Sequence, residues 1–310
     1  MPDPSPAPDL SVELAGIRLE NPTVLASGIL GTCTPLLRRA ARSGAGAVTI
    51  KSVSLEPRGG HNNPTVLAFE AGLINAVGYS NPGAAAAAEQ FADIETVGAP
   101  VFASIIGGEP NEFVAVLDVL GGLPFAAVEL PLSCPHTPGY GLLAGQGTPK
   151  ATAAITRAVR AATDLPVFVK VSPSIPRLAD VCRVAEDEGA DAITAVNSMG
   201  PGMLINAEAR APVLDFGVGG VTGAALRPIA LRCVYDIYEA VKIPIIGTGG
   251  VSTGRHAVEM ILAGATAVGV GSAVHDGGCE VFGRICDEMR EWMGANGVGR
   301  VSEIVGAAHG

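Results

Sequence analysis

A cysteine in a turn is the first residue of this chain with the means to do chemistry. From Val128 to Gly141 the sequence reads VELPLSCPHTPGYG, which sets Cys134 just past a short apolar run and ahead of proline, histidine and glycine. A thiol at the mouth of a strand can be brought over a bound molecule, and its reference pKa lies close enough to neutrality for proton exchange. Free cysteine more often serves as a small buried packing residue. The flanking Ser133, Pro135 and His136 favour the chemical reading.

Two lysines carry the next signal. Lys51 closes the run AVTIK and Lys170 stands in VFVK. An ammonium at the end of a buried strand needs an anionic or acceptor partner, so both are expected to point into a polar mouth rather than lie on the surface. Asn197-Ser198 ends a similar run. Asn75 in GLINAVG and Asn81 in SNPG are more ambiguous, since asparagine beside glycine or proline often only shapes a turn. Two glycine clusters, Gly247-Thr248-Gly249-Gly250 and Gly269-Val270-Gly271-Ser272, follow or end apolar runs late in the chain. Glycine permits the close backbone approach that an anion requires.

Positioning these groups is the task of a repeated pattern. Strands are expected at Val24–Ser27, Ala47–Lys51, Val101–Ile105, Ala126–Leu130, Val167–Val171, Ala192–Val196, Pro244–Gly247 and Ala267–Gly271. Helical patterns fill the gaps at Thr34–Ser43, Gly83–Thr96, Pro110–Leu120, Pro149–Thr163, Pro176–Glu188, Ala225–Val241, Thr253–Ala263 and His275–Met293. Eight strands, each followed by a helix, imply an α/β fold of the (β/α)8 TIM-barrel type. A doubly wound open sheet is the rival. Ser174 and Ser252-Thr253 read as helix starts, and Gly44, Gly189 and Gly264 as helix ends. An N-terminal β-hairpin, Leu10–Leu14 with Ile17–Leu19, is expected to close the barrel floor. Three long βα loops, Ser52–Pro82, Ser133–Thr148 and Asn197–Gly223, leave carboxyl ends of strands, the face on which barrel enzymes build their sites. The late glycine clusters then fall after the seventh and eighth strands, where barrels commonly cradle a phosphate.

Composition bounds the rest. With 310 residues and 48% hydrophobic content, residues 10–310 suffice for one large domain after a proline-rich, disordered tail at 1–9. A net charge of −10 excludes a basic stripe for nucleic acid. No apolar run reaches the roughly 18 residues of a transmembrane helix, and the opening MPDPSPAPD is unlike a signal peptide. The six cysteines show no metal spacing, so reduced thiols and a cytoplasmic location are expected, with no metal.

The chain resembles the dihydroorotate dehydrogenases, most closely the archaeal-type catalytic subunits of the NAD-linked class. The likeness runs from Leu10 to about Gly271 and rests on NPTVLASG, TIKSVSLEPRGG, GLINAVGYSNPG, LSCPH, VKVSP, VNSMGPGM, LRPIALRCVYDIYEAV and IPIIGTGGVST. The SCPH element is also similar to that in the pyrimidine-reducing domain of dihydropyrimidine dehydrogenase. The resemblance implies an FMN-dependent barrel that oxidises dihydroorotate to orotate in pyrimidine biosynthesis, with hydride passing to flavin N5 and Cys134 as base. It places Ala26, Ser27, Gly28, Lys51 and Ser52 against the flavin and Lys170 near its N1–O2 edge. It places Gly219, Gly220, Gly249, Gly250, Gly271 and Ser272 around the ribityl phosphate. Lys51, Asn75, Asn197 and Ser198 would bind substrate, with His136 assisting or serving the loop. It further implies a homodimer core and a partner subunit carrying FAD and an iron–sulfur centre, since this chain has no cysteine cluster for one.

The chain departs from the family pattern at Pro131, where an asparagine is usual. Ser104 and Ser174 also replace common asparagines, Asn206 a common aspartate and Ala224 a common proline. Proline offers neither the amide's donors nor its acceptor, so a buried substrate partner is lost. Three readings follow: a dihydroorotate dehydrogenase that tolerates Pro131, a related FMN oxidoreductase acting on another small cyclic amide or unsaturated carbonyl compound, or a non-catalytic flavin-binding scaffold. Cys134, Lys51 and Lys170 disfavour the third.

Overall fold

A computed structural model describes residues 7–132 and 146–310. Cys134, His136 and most of the loop from Ser133 lie outside these described residues. Asp9, assigned to the tail from composition, is tied to the body, its amide donating to the Gly299 carbonyl at 2.9 Å.

The chain opens with a hairpin of β1 (Val12–Leu14) and β2 (Ile17–Leu19), joined through Ala15 and Gly16 at φ 51° and 79°. Positive φ at both turn residues matches the twist of a two-residue hairpin. Leu14 and Leu19 are fully buried, and the turn borders Pro244 and Thr266, at the amino-terminal ends of two barrel strands, so the hairpin sits at the floor as expected.

The barrel strands are β3 (Thr23–Leu25), β4 (Ala47–Thr49), β7 (Val101–Ser104), β8 (Ala127–Pro131), β9 (Val167–Val171), β10 (Ala192–Ala195), β15 (Ile245–Thr248) and β16 (Ala267–Val270). They pair in chain order, all parallel, and β16 closes on β3 with Val268 opposite Thr23. Closure excludes the open-sheet rival. The β-branched runs that make these strands are buried along their length, as both faces of a parallel barrel require. Phe102 and Phe168 meet edge to face at 5.2 Å inside it, each such buried ring contributing about 1.5–3 kcal/mol.

Around the barrel run α1 (Thr34–Arg42), α2 (Ala84–Gln90), α3 (Pro110–Leu120), α4 (Pro149–Ala162), α5 (Leu178–Asp187), α6 (Arg227–Tyr238), α7 (Gly254–Leu262), α8 (Ala273–Gly277) and α9 (Val281–Ala295). Thr253 caps α7 by accepting from the His256 amide at 3.2 Å. Gly44, Gly189 and Gly264 have φ of 102°, 92° and 115°, the left-handed geometry of a helix end.

Two expectations are corrected. Ser174 does not cap a helix: α5 begins at Leu178, and Ser174 Oγ donates to the Gly200 carbonyl at 2.8 Å, linking two loops above the barrel. The helix expected over His275–Met293 is two helices, because Gly278 turns the backbone to φ 61°, ψ −166° between α8 and α9.

Two of the long loops are themselves sheet. The first contains β5 (Val66–Phe69) and β6 (Gly72–Asn75); the other contains β11 (Met199–Gly202), β12 (Ile205–Asn206), β13 (Ala211–Pro212) and β14 (Gly219–Thr222). The order β11-β14-β6-β5 makes one antiparallel four-stranded sheet from both loops. It roofs the carboxyl ends of the barrel strands.

Candidate active site

Between the roof and the barrel mouth lies a cavity of about 1190 Å³, counting the space at its opening. Ala26, Ser27 and Gly28 reach it from the end of β3, Lys51 and Ser52 from beyond β4, and Lys170 from β9. Asn197 and Ser198 enter beyond β10, Gly249 and Gly250 beyond β15, Gly271 and Ser272 beyond β16, and Asn75 from the roof. Thirteen of the residues assigned from sequence therefore meet in one place. Gly219 and Gly220 do not line it. They open β14, where a side chain on Gly219 would lie 2.6 Å from the Asn75 carbonyl, so close sheet packing explains that glycine. Thr222 and Gly223 face the cavity instead.

The floor is a charged network contributed by three strands and the turn beyond β3. Glu129 in β8 and Lys170 in β9 have side chains only 5% exposed, with Lys170 Nζ 3.5 Å from Glu129 Oε1. Ser27 Oγ donates to the same oxygen at 2.8 Å and accepts from Lys170 Nζ at 2.9 Å. Thr194 Oγ1 donates to Oε2 at 3.0 Å. Period-two alternation aims the three strand residues inward, Lys170 above Phe168 and Glu129 above Ala127. Sequence reasoning found Lys170 and missed Glu129. The signal was there: a carboxylate inside the run AVELP that shares an inward face with a lysine one strand away.

At the side, Lys51 Nζ lies 5.7 Å from the centre of the Tyr79 ring, a cation–π contact. Tyr79 holds a left-handed backbone at φ 58°, uncommon for a bulky residue, and its hydroxyl donates to the Pro131 carbonyl at 3.3 Å. Pro131 itself lines the cavity opposite Lys170 in the β8–β9 register. Ser52 and Ser104 share a hydrogen bond at 2.9 Å. Asn75 Nδ2 donates to the Gly220 carbonyl at 3.2 Å. Asn81 serves the turn: it accepts from the amides of Ser54 and Gly83 and donates to the Tyr79 carbonyl.

The far wall suits an anion. Among the described residues, the amides of Gly249, Gly250, Gly271 and Ser272 donate no hydrogen bond. Gly250 has φ 72°, and a Cβ there would lie 2.6 Å from the Gly223 carbonyl, so only glycine brings this amide so close. A Cβ on Gly28 would meet no protein atom within 4 Å, so the cavity is open beside this residue. Amide cradle, open space at Gly28 and buried cation together fit a ligand carrying a phosphate.

The described cysteines, Cys33, Cys182, Cys233, Cys279 and Cys286, are free thiols. Burial pushes Cys182 far up, and raises Cys233 and Cys286 to about 11. These three are poor bases or nucleophiles at neutral pH. No helix among the described residues is long and apolar enough to cross a membrane.

A closed parallel barrel with a cavity under loops at its carboxyl face has the architecture on which barrel enzymes build their sites. Residues 9–293 match the family model described as dihydroorotate dehydrogenase. The chain is 42% identical over 301 residues to the dihydroorotate dehydrogenase B (NAD(+)) catalytic subunit of Methanothermobacter thermautotrophicus, covering 97% of this chain and 98% of that one. The similarly named subunit of Pyrococcus furiosus is 43% identical over 96% of this chain and 98% of its own. That of Methanosarcina mazei is 43% identical over 97% and 95%. The chain belongs to the dihydroorotate dehydrogenase family.

Proposed function

We propose that this chain is an FMN-dependent oxidoreductase that converts dihydroorotate to orotate in pyrimidine biosynthesis. The observation that supports this best is the cavity itself, where two lysines, Asn75, Asn197-Ser198 and the glycine turns converge from separate strands. Family membership supplies the substrate.

The residues fit FMN. Gly249, Gly250, Gly271 and Ser272 would hold its phosphate through backbone amides, Ala26, Ser27, Gly28 and Ser52 would border the ring, and Lys170 would face its N1–O2 edge. When bound, FMN supplies the two-electron acceptor for a CH–CH oxidation. Lys51, Asn75, Asn197 and Ser198 would orient the substrate's carboxylate and imide, and the roof sheet would exclude water. Cys134 would remove the ring proton as the hydride departs, a role assigned by resemblance, and His136 would assist in the same loop. The relatives' names as catalytic subunits support a partner; an electron-transfer subunit with FAD and an iron–sulfur centre, around a homodimer core in the cytoplasm, completes the reading.

A second reading is favoured by one observation. Pro131 occupies the cavity wall where the family pattern has asparagine, and its carbonyl accepts from the Tyr79 hydroxyl. A site so altered would suit another small cyclic amide or unsaturated carbonyl compound. Anaerobic mixing of the FMN-loaded chain with dihydroorotate separates the two. Rapid loss of the oxidised flavin band is the expected result. Flavin that stays yellow with dihydroorotate yet bleaches with dithionite would refute the first reading and leave the second.

A further inference from the structure

The geometry points to Glu129 as a positioning residue, a buried carboxylate that compensates and orients the Lys170 ammonium and so sets how readily a flavin over the barrel mouth takes up electrons. This inference rests on the flavin reading above. Glu129 is not needed to hold its strand. Its carbonyl already accepts from the Ile105 amide at 3.0 Å, and it sits in register between neighbours on both sides. An apolar residue of similar volume would fill the same place without the cost of burying a charge. Yet both carboxylate oxygens are engaged, Oε1 by Ser27 and Lys170 and Oε2 by Thr194. A group so fully occupied is held still and is not available as a base.

The direction of these bonds fixes what the neighbours can offer the cavity. Ser27 has one hydroxyl proton, and Glu129 takes it. Its oxygen is thereby left to accept, and it accepts from Lys170. Lys170 has three protons: one goes to Ser27, a second faces Glu129, and the third remains for the cavity that Lys170 lines. The ammonium thus presents a single aimed donor, with its charge partly offset from behind. Without the carboxylate, Ser27 could turn its proton elsewhere and Lys170 would present an uncompensated positive charge. Positive charge beside a flavin favours its reduced, anionic form.

The test reads the flavin's equilibrium with electrons rather than turnover. The full FMN-loaded chain and its Glu129→Gln variant are reduced anaerobically in the presence of a reference dye, and the ratio of reduced to oxidised flavin is compared at equal dye poise. Glu129→Gln is expected to hold FMN and to raise that ratio at least tenfold, about 30 mV for a two-electron couple. A merely structural residue would loosen FMN without moving the ratio of what stays bound. Where Glu129→Gln does not fold, Glu129→Met, which fills the same place without the charge, is compared with the parent and should raise the ratio by the same tenfold. Variants that hold FMN with ratios within twofold of their parents overturn the role of Glu129 alone. An unmodified chain that holds no FMN overturns the flavin reading and this proposal with it.

Discussion

Replacing Lys170 by methionine removes one charge of a buried pair and leaves the other without its counterion. Both side chains are 5% exposed, so solvent offers Glu129 little relief. Breaking such a pair from one side costs about 3–5 kcal/mol, whereas removing both charges is close to neutral. With an unfolding entropy of about 2.1 cal/mol/K per residue, a chain of 310 residues has about 0.65 kcal/mol/K. The single variant should therefore melt about 5–8 °C below the parent. Lys170→Met/Glu129→Gln should recover at least half of that fall, since the amide oxygen can accept from one of the Ser27 and Thr194 hydroxyls and the amide nitrogen can donate to the other. The assay is calorimetry of the chain without cofactor at pH 7 and one scan rate. A single variant within about 1.5 °C of the parent, or a double variant no better than the single, would refute the claim that the two charges form an energetic unit.

Cys134→Ser should retain FMN while slowing dihydroorotate oxidation strongly near pH 7; unchanged turnover would remove Cys134 from the chemistry. Pro131→Asn should lower the KM for dihydroorotate if the proline has eroded that wall, and an unchanged KM with FMN bound would mean the pocket differs at more than one position. Gly250→Ala forces a Cβ to within 2.6 Å of the Gly223 carbonyl at φ 72°, so FMN should be released at least tenfold faster, as read by fluorescence of free flavin. Cys233 and Cys286, raised by burial to about 11, should resist iodoacetamide at pH 8. Their thiolate fraction there is about one in a thousand, and labelling should grow as pH rises toward 11; mass spectrometry showing both alkylated within minutes at pH 8 would contradict their burial.

The barrel was legible because its signals are local. Val167–Val171 and Pro110–Leu120 have the bounds that β-branched run and proline start dictate. The roof was not, because strands such as MGPG and GGVT carry glycine and proline where alternation would show; only pairing between distant loops makes them strands. The same blindness misplaced Gly219 and Gly220, whose glycines serve a sheet partner invisible from sequence. Lysine at a strand end announced a polar mouth, while Glu129 was hidden by standing mid-run among apolar neighbours. Its meaning depends on Lys170, Ser27 and Thr194, which strands closed into a barrel bring together.

The roof sheet has a bearing on how this site could be altered. Its inner pair joins Asn75 to Gly220 and Leu73 to Thr222, so each half of the ceiling is templated by a segment some 145 residues away along the chain. Neither loop is a self-contained module. A graft that exchanged one of them to change substrate preference would leave the other without a hydrogen-bonded edge, and exchange of specificity between relatives would have to carry both loops together.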